Sequence, residues 1–134
     1  MIDFKSLIDR ISVNEGFRSK PYQCSEGVWT IGHGLTWLTE EESLHILADR
    51  ISQLHLKISN QLSWYDDMPP EIQGVIIEMC FQMGFGGFCK FKKAIRNMQD
   101  KNWKAAADEM LDSRWAKQTP SRANSLADIV REHG

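Results

Sequence analysis

The chain has 134 residues, of which 42% are hydrophobic and 25% charged, and its formal net charge is −2. This length fits one domain with a buried core, and the small negative charge gives no general case for a nucleic-acid partner. No apolar run approaches the roughly 20 residues that a membrane-spanning helix needs, which argues against stable membrane insertion.

The N-terminal segment predicts an amphipathic helix over residues 2–14. Asp3 is a suitable N-cap, and Gly16 is well placed to end the helix. Its apolar residues recur at a spacing of three to four, as on one face of a helix: Phe4, Leu7, Ile8 and Ile11. Glu15 therefore stands at the C-terminal end of this helix. Charged residues interrupt the segment, so it lacks the apolar core of a signal peptide.

From residue 17 to residue 37 the pattern changes to short β-prone runs separated by turns. Lys20-Pro21, Ser25-Glu26-Gly27 and Gly32-His33-Gly34 are turn sequences, and Val28–Ile31 favours a strand. The pattern predicts a small antiparallel hairpin or a three-stranded sheet. Such a sheet is too small to be stable alone, so it must pack on helices.

A long helix is predicted next. Thr39 and Glu42 form a capping box at its start. The helix should extend to about Asn60, because apolar residues continue at helical spacing: Leu44, Leu47, Ile51, Leu54 and Ile58. His45 and His55 lie outside this stripe and have no second histidine four residues on, so no metal site is expected.

The second half of the chain is predicted to be helical. Residues 62–68 form a connection, and Pro69-Pro70 opens an apolar helix typical of a buried core. Three glycines should end it: Gly84, Gly86 and Gly87. Further helices are predicted over Phe88–Met98, after an Asn102 cap, and from Thr119-Pro120 to about Glu132. The predicted fold class is α+β and predominantly helical, with a cleft between two lobes.

The three cysteines predict reduced thiols. Cys24, Cys80 and Cys89 cannot all pair with one another, and no CxxC spacing occurs. Reduced thiols are typical of proteins made in a reducing cytoplasm.

Residues 90–104 carry an excess of positive charge. Six basic residues oppose Asp100 alone, which gives the segment a charge of +5: Lys90, Lys92, Lys93, Arg96, Lys101 and Lys104. The segment is either a solvated helix face or a docking patch for an acidic polymer or membrane surface.

Glu15, Cys24 and Thr30 are the candidates for chemistry. Glycosidic cleavage needs an acid to protonate the leaving oxygen and a second group at the anomeric carbon. Glu15 can be the acid, and Cys24 can act as a thiolate or through a water that Thr30 orients. Each residue also has an ordinary structural explanation, since a cysteine often fills apolar space and threonine favours strands.

The segments Glu15–Arg18, Cys24 and Trp29–Gly32 resemble the phage-lysozyme family of muramidases. The family pattern is Glu, eight residues, Asp or Cys, five residues, Thr, and this chain fits both gaps. The resemblance continues through Phe81–Gly84, Ser113–Trp115, Gln118–Pro120 and Arg122-Ala123. It implies a single lysozyme-like domain over 1–134. The N-terminal lobe would cover about 12–60, and the C-terminal lobe about 61–134 plus helix 1–11, joined by the long helix.

The resemblance also implies a reaction. The substrate would be the β-1,4 bond between N-acetylmuramic acid and N-acetylglucosamine in peptidoglycan, hydrolysed with inversion and without a cofactor. Glu15 would be the general acid, and Cys24 would replace the commoner aspartate. Thr30 would hold the water. Arg122 would pair with Glu15, and Glu26 would form an ion pair with Arg114 across the cleft mouth. The implied substrate-binding residues are Glu26, Gly32, Gln82, Arg114, Gln118, Thr119 and Arg122.

The biological role implied is that of a bacteriolytic endolysin of a phage or prophage. The protein would act as a monomer, accumulate in the host cytoplasm, and need a separate holin to reach the periplasm and cell wall. Two alternatives stay open at this point. One is a non-catalytic peptidoglycan-binding or phage structural domain, favoured by the cysteine. The other is a lytic transglycosylase in which Glu15 acts alone.

Overall fold

The computed structural model describes all residues, Met1–Gly134, and confirms the α+β, predominantly helical class. Two antiparallel strands accompany eight α-helices and a 3₁₀ turn at Tyr65–Asp67. The elements in order are α1 Phe4–Glu15, β1 Arg18–Gln23, β2 Trp29–Gly32, α2 Glu40–Gln61, α3 Pro70–Met83, α4 Phe85–Cys89, α5 Lys92–Gln99, α6 Trp103–Leu111, α7 Arg114–Gln118 and α8 Pro120–His133. None of the helices combines the length and apolar character required to cross a bilayer.

The chain forms two compact units, Met1–Ile46 and Leu47–Gly134, called here the N-terminal and C-terminal units. The boundary falls within α2. The single-domain reading and its lobe boundaries stay predictions.

Helix α1 has the predicted ends. The Asp3 carboxylate accepts a hydrogen bond from the Ser6 backbone N–H at 3.2 Å, which satisfies one of the free donors of the first turn. Gly16 follows Glu15 with a φ of 70°, and its N–H donates to Ser12 O at 2.9 Å. Glu15 is therefore the last residue of α1.

The β-patterned segment forms a two-stranded hairpin. Tyr22 pairs with Thr30 and Gln23 with Trp29, but the ladder is irregular between Arg18 and Tyr22. Pro21 lies within this irregular stretch, and a proline cannot donate a hydrogen bond to a ladder. The predicted hairpin is confirmed, and the third strand is reduced to an isolated bridge between Ile31 and Leu35.

The capping box of α2 is formed as predicted. The Glu42 N–H donates to Thr39 Oγ1 at 3.1 Å, and the Thr39 N–H donates to Glu42 Oε1 at 2.9 Å. Helix α2 ends at Gln61, one residue beyond the predicted end.

The core of the C-terminal unit is built around α3. Five of its side chains are buried, as its nearly uniform apolar character predicts: Ile72, Val75, Ile76, Met79 and Cys80. Helix α8 packs against both α3 and α6, and α6 also packs against α5. Pro70 occupies the first turn of α3, where its missing N–H costs no hydrogen bond.

The predicted helix over Phe88–Met98 is wrong. The chain forms two helices there, α4 and α5, with a break at Lys90–Phe91. Of the three glycines expected to end α3, only Gly84 does so. Gly87 lies within α4. A Cβ at this position would come within 3.1 Å of Met83 Cγ, so the two residues are closely packed. A close packing contact therefore explains this glycine better than a helix stop.

Two predicted N-caps and one helix also differ between the prediction and the structure. Asn102 and Thr119 occupy the N-cap positions of α6 and α8, but neither side chain makes a capping hydrogen bond. Helix α7 was not predicted. Ser113 caps it by accepting a hydrogen bond from the Ala116 N–H at 3.1 Å.

Candidate active site

The Cys24 side chain lies at the loop that joins β1 to β2. The loop is closed by hydrogen bonds from the Cys24 N–H to Val28 O and from the Gly27 N–H to Cys24 O, both 2.9 Å. Gly27 adopts a φ of 77°, which favours glycine. Cys24 is partly buried, and its thiol is free. The loop thus fixes the position of the sulfur.

The surroundings of Cys24 favour a thiolate. Backbone hydrogen bonds from Glu26 and then Val28 hold the pKa of the Cys24 thiol below its ordinary value, against an opposing effect of partial burial. The Thr30 side chain adds a smaller effect in the same direction. Backbone donors aimed at a sulfur stabilise its negative charge, which is the form that accepts a proton.

Thr30 is the single buried polar residue of the chain. Its hydroxyl donates to Val28 O at 3.0 Å, and it also lies within hydrogen-bonding reach of Cys24. A hydroxyl has one hydrogen and two acceptor lone pairs. While the hydrogen is directed at Val28, a lone pair remains for a water molecule; when the same hydrogen turns toward Cys24, it stabilises the thiolate.

Cys24 is expected to react fastest of the three cysteines with a thiol-alkylating reagent at neutral pH. A lowered pKa gives Cys24 a larger thiolate fraction, and the thiolate is the reactive form. Burial raises the pKa of the Cys80 thiol to about 12 and also raises that of Cys89. A time course of peptide mass mapping measures the three rates. Labelling of Cys80 at the same rate as Cys24, or faster, would contradict the inference that the loop lowers the pKa of Cys24.

The Glu15 carboxyl lies against Gly34, in the turn that follows β2. An ideal Cβ at Gly34 would come within 2.8 Å of Glu15 Cδ and 3.2 Å of Cγ, and closer still to Oε2. The turn is closed by reciprocal hydrogen bonds between Ile31 and Leu35, of 2.8 and 2.9 Å. Thr30 and Gly32 share a face of β2, since alternate residues of a strand point the same way. The hairpin therefore carries Cys24 and Thr30, and the turn that follows it contacts Glu15.

Glu26 and Gly32 are the predicted substrate-binding residues of the N-terminal unit. Glu26 is exposed in the Cys24–Val28 loop, and Gly32 ends β2 with a φ of 66°. The side chain of Leu35 lies 3.6 Å from the place of a Gly32 Cβ. Their binding roles stay predictions.

In the C-terminal unit the structure brings together Gln82 and Thr119. Gln82 Nε2 lies 3.4 Å from Thr119 Oγ1, and the Thr119 hydroxyl donates to Trp115 O at 3.0 Å. The indole N–H of Trp115 donates to Gln82 Oε1 at 2.8 Å. Trp115 was not predicted as a site residue, although it belongs to the Ser113–Trp115 motif. This network fixes the Gln82 amide and explains why Thr119 does not cap α8.

Arg114 and Gln118 are exposed on α7. Arg114 lines a cavity of about 450 Å³ together with Phe91 and Trp115, whose rings meet edge to face at 5.9 Å. The same cavity is lined by basic and acidic residues, which are Lys90, Lys92, Lys93, Glu109 and Asp112. Part of the positively charged segment therefore borders this cavity.

Arg122 makes an ion pair within the C-terminal unit. Its Nε lies 2.8 Å from Glu78 Oε2, and both side chains are about two-fifths exposed. The pair borders a second cavity of about 460 Å³ with apolar walls that include Ile51 and Phe81. The predicted pairs of Arg122 with Glu15 and of Glu26 with Arg114 join residues of different units and stay predictions. No group of three or more His, Cys, Asp or Glu side chains is arranged to hold a metal ion.

Comparison with known proteins identifies the family. The model of the phage lysozyme family matches residues 12–131. The chain is 26% identical to "Probable T4-type lysozyme 2" of Dictyostelium discoideum, with 92% of each chain covered. It is 25% identical to "Probable T4-type lysozyme 1" of the same organism, with 93% of each covered. The chain therefore belongs to the phage lysozyme family and is a glycosidase of the lysozyme class.

Proposed function

We propose that the protein hydrolyses the β-1,4 bond between N-acetylmuramic acid and N-acetylglucosamine of peptidoglycan, with inversion at the anomeric carbon. The observation that carries the proposal is the hairpin itself. Its loop holds a thiol of lowered pKa beside the Thr30 hydroxyl, and the turn after β2 contacts the Glu15 carboxyl. Membership of the phage lysozyme family supports the same reaction.

In the proposed mechanism Glu15 is the general acid. Its protonated carboxyl gives a proton to the glycosidic oxygen as the bond from that oxygen to C1 of the muramic acid breaks. The leaving sugar departs with a free hydroxyl, and Glu15 is left as a carboxylate. The positive charge that develops at C1 is stabilised by nearby negative charge, which Cys24 supplies as a thiolate.

A water molecule then completes the reaction. It donates one hydrogen bond to a lone pair of Thr30 Oγ1 and directs the other hydrogen to the Cys24 sulfur. The water oxygen attacks C1 on the face opposite the leaving group, and its proton passes to the thiolate, which gives the inverted product. Exchange with solvent returns a proton to Glu15 and removes one from Cys24.

The remaining predicted residues would bind the glycan strand. Gln82, Gln118 and Thr119 would contact the sugar chain, and Gly32 would let it approach the backbone. Glu26, Arg114 and Arg122 would supply charged groups that bind the substrate. The Gln82–Trp115–Thr119 network supports the first of these roles, because it fixes two polar groups in one orientation.

The proposal extends to host lysis. We propose that the protein is an endolysin that works as a monomer, stays in the host cytoplasm until a holin opens the membrane, and then acts on the cell wall. Family membership supports this role.

Product analysis tests the reaction. Purified peptidoglycan digested in ¹⁸O-labelled water should yield muropeptides with one labelled oxygen at the reducing end. NMR of the fresh digest should detect the α-anomer first, because inversion of a β-glycoside gives the α-product. Products lighter by one water and free of label would identify a transglycosylase. Binding without any soluble product would identify a non-catalytic domain.

A further inference from the structure

Gly34 differs from the other glycines with positive φ. Five glycines have φ between 66° and 83°, and they are Gly16, Gly27, Gly32, Gly34 and Gly84. A Cβ would meet nothing within 4 Å at Gly16, Gly27 or Gly84, and only ordinary contact with Leu35 at Gly32. At Gly34 the Cβ would overlap the carboxyl end of Glu15.

Backbone conformation alone does not account for this contact. Gly27 and Gly34 share a φ of 77°, so both positions favour glycine for the same backbone reason. Gly34 has a second reason, since its absent side chain leaves the space that Glu15 occupies. The reciprocal hydrogen bonds between Ile31 and Leu35 fix the turn, so an added side chain would displace Glu15 rather than the turn.

We propose that Gly34 is a positioning residue for Glu15, and that its bare Cα forms the surface on which the catalytic carboxyl rests. The inference builds on the proposed function, because it assigns Gly34 a role through the acid. No group of Gly34 touches the reacting atoms in this role. Its contribution is to leave one place open for the Glu15 side chain.

The expected effect of a side chain at Gly34 falls on catalysis more than on folding. Glu15 is exposed at the end of α1, so its carboxyl can rotate away from a new Cβ while the fold persists. A misplacement of about 1 Å in a catalytic group can cost about 100-fold in rate. Substrate contacts elsewhere stay in place, so kcat should fall while KM changes little.

The experiment compares Gly34→Ala and Gly34→Asn with Gly84→Ala on purified peptidoglycan. Gly34→Ala should lower kcat by about 100-fold. Asparagine tolerates positive φ better than alanine, so Gly34→Asn should have a higher Tm than Gly34→Ala and yet a similarly low kcat. Gly84→Ala carries a similar backbone strain, at a φ of 83°, without any overlap. It should lose a similar amount of Tm and keep a kcat at least about tenfold above that of Gly34→Ala.

Glu15→Gln, measured in parallel, distinguishes a failure of the catalytic role of Glu15 from a failure of the positioning role of Gly34. If Glu15→Gln is as active as the wild type, the proposed function fails at its acid. If Glu15→Gln is inactive while Gly34→Asn keeps the wild-type kcat, the positioning role alone is overturned. An equal loss of kcat in Gly84→Ala and Gly34→Ala would also overturn it, because backbone strain would then explain both. In a Glu15→Gln background, Gly34→Ala should lower the residual rate no further.

Discussion

Glu15→Gln is expected to lower the rate of peptidoglycan cleavage by about 10²–10⁴-fold, the usual contribution of a general acid. The amide keeps the size of the carboxyl and its contact with Gly34, but it has no acidic proton to give to the leaving oxygen. Loss of turbidity in outer-membrane-permeabilised bacteria measures the effect. We expect the wild type to clear the suspension and the variant to leave it turbid.

The matched control is Glu132→Gln on α8, which makes the same chemical change at an exposed residue. It should clear cells at the wild-type rate. Thermal unfolding should give Glu15→Gln a Tm close to that of the wild type, because Glu15 is exposed and makes no hydrogen bond or ion pair that holds the fold. Equal clearing by wild type and Glu15→Gln, or no clearing by either, would contradict the assignment of Glu15 as the catalytic acid.

Local signals explain the parts of the fold that could be predicted. The Asp3 cap of α1 and the Thr39–Glu42 box of α2 each involve residues three apart in sequence, so their hydrogen bonds form wherever the helix starts. The same holds for Pro70 and for Gly16. These interactions depend on neighbours along the chain, and a sequence displays such neighbours directly.

Tertiary packing explains the parts that could not be predicted. Thr119 is a good N-cap when read locally, but its hydroxyl bonds to Trp115 and Gln82 instead. Thr119 and Gln82 are 37 residues apart in sequence, a separation that no local pattern reveals.

The candidate site likewise combines features that the sequence displays with features that depend on the fold. The spacing of Glu15, Cys24 and Thr30 was visible in the sequence, because a family pattern specifies both gaps. The contribution of Gly34 was not visible, since glycine in a Gly-His-Gly run indicates only a turn. Its contact with Glu15 spans 19 positions and depends on the turn after β2 lying beside the end of α1. Trp115 likewise required the fold that places α7 beside α3.

Cys24→Asp is expected to retain activity, and Cys24→Ser to lose most of it. Aspartate supplies a negative charge and a proton acceptor at the position where the thiolate stands. A serine hydroxyl stays neutral at working pH, so it offers neither a base nor a charge to stabilise the developing cation. The backbone hydrogen bonds from Glu26 and Val28 that lower the pKa of the thiol are equally suited to a carboxylate. Turnover of purified peptidoglycan measures both variants, and full activity of Cys24→Ser would show that no charged group is needed there.

The pH dependence of kcat gives the sharper test of the thiolate. The proposed mechanism needs a protonated Glu15 and a deprotonated Cys24, so the titration of each group should set one limb of the kcat profile. The limb set by Cys24 should lie below the pH expected of an ordinary thiol. An aspartate ionises near pH 4. The limb set by position 24 should therefore move to lower pH in Cys24→Asp. Cys89→Ser changes a thiol whose pKa is raised by burial, and it should leave the profile unchanged. Coincident kcat profiles, on both limbs, for wild type and Cys24→Asp would mean that Cys24 positions water as a neutral thiol, with Thr30 as the main contact of the water.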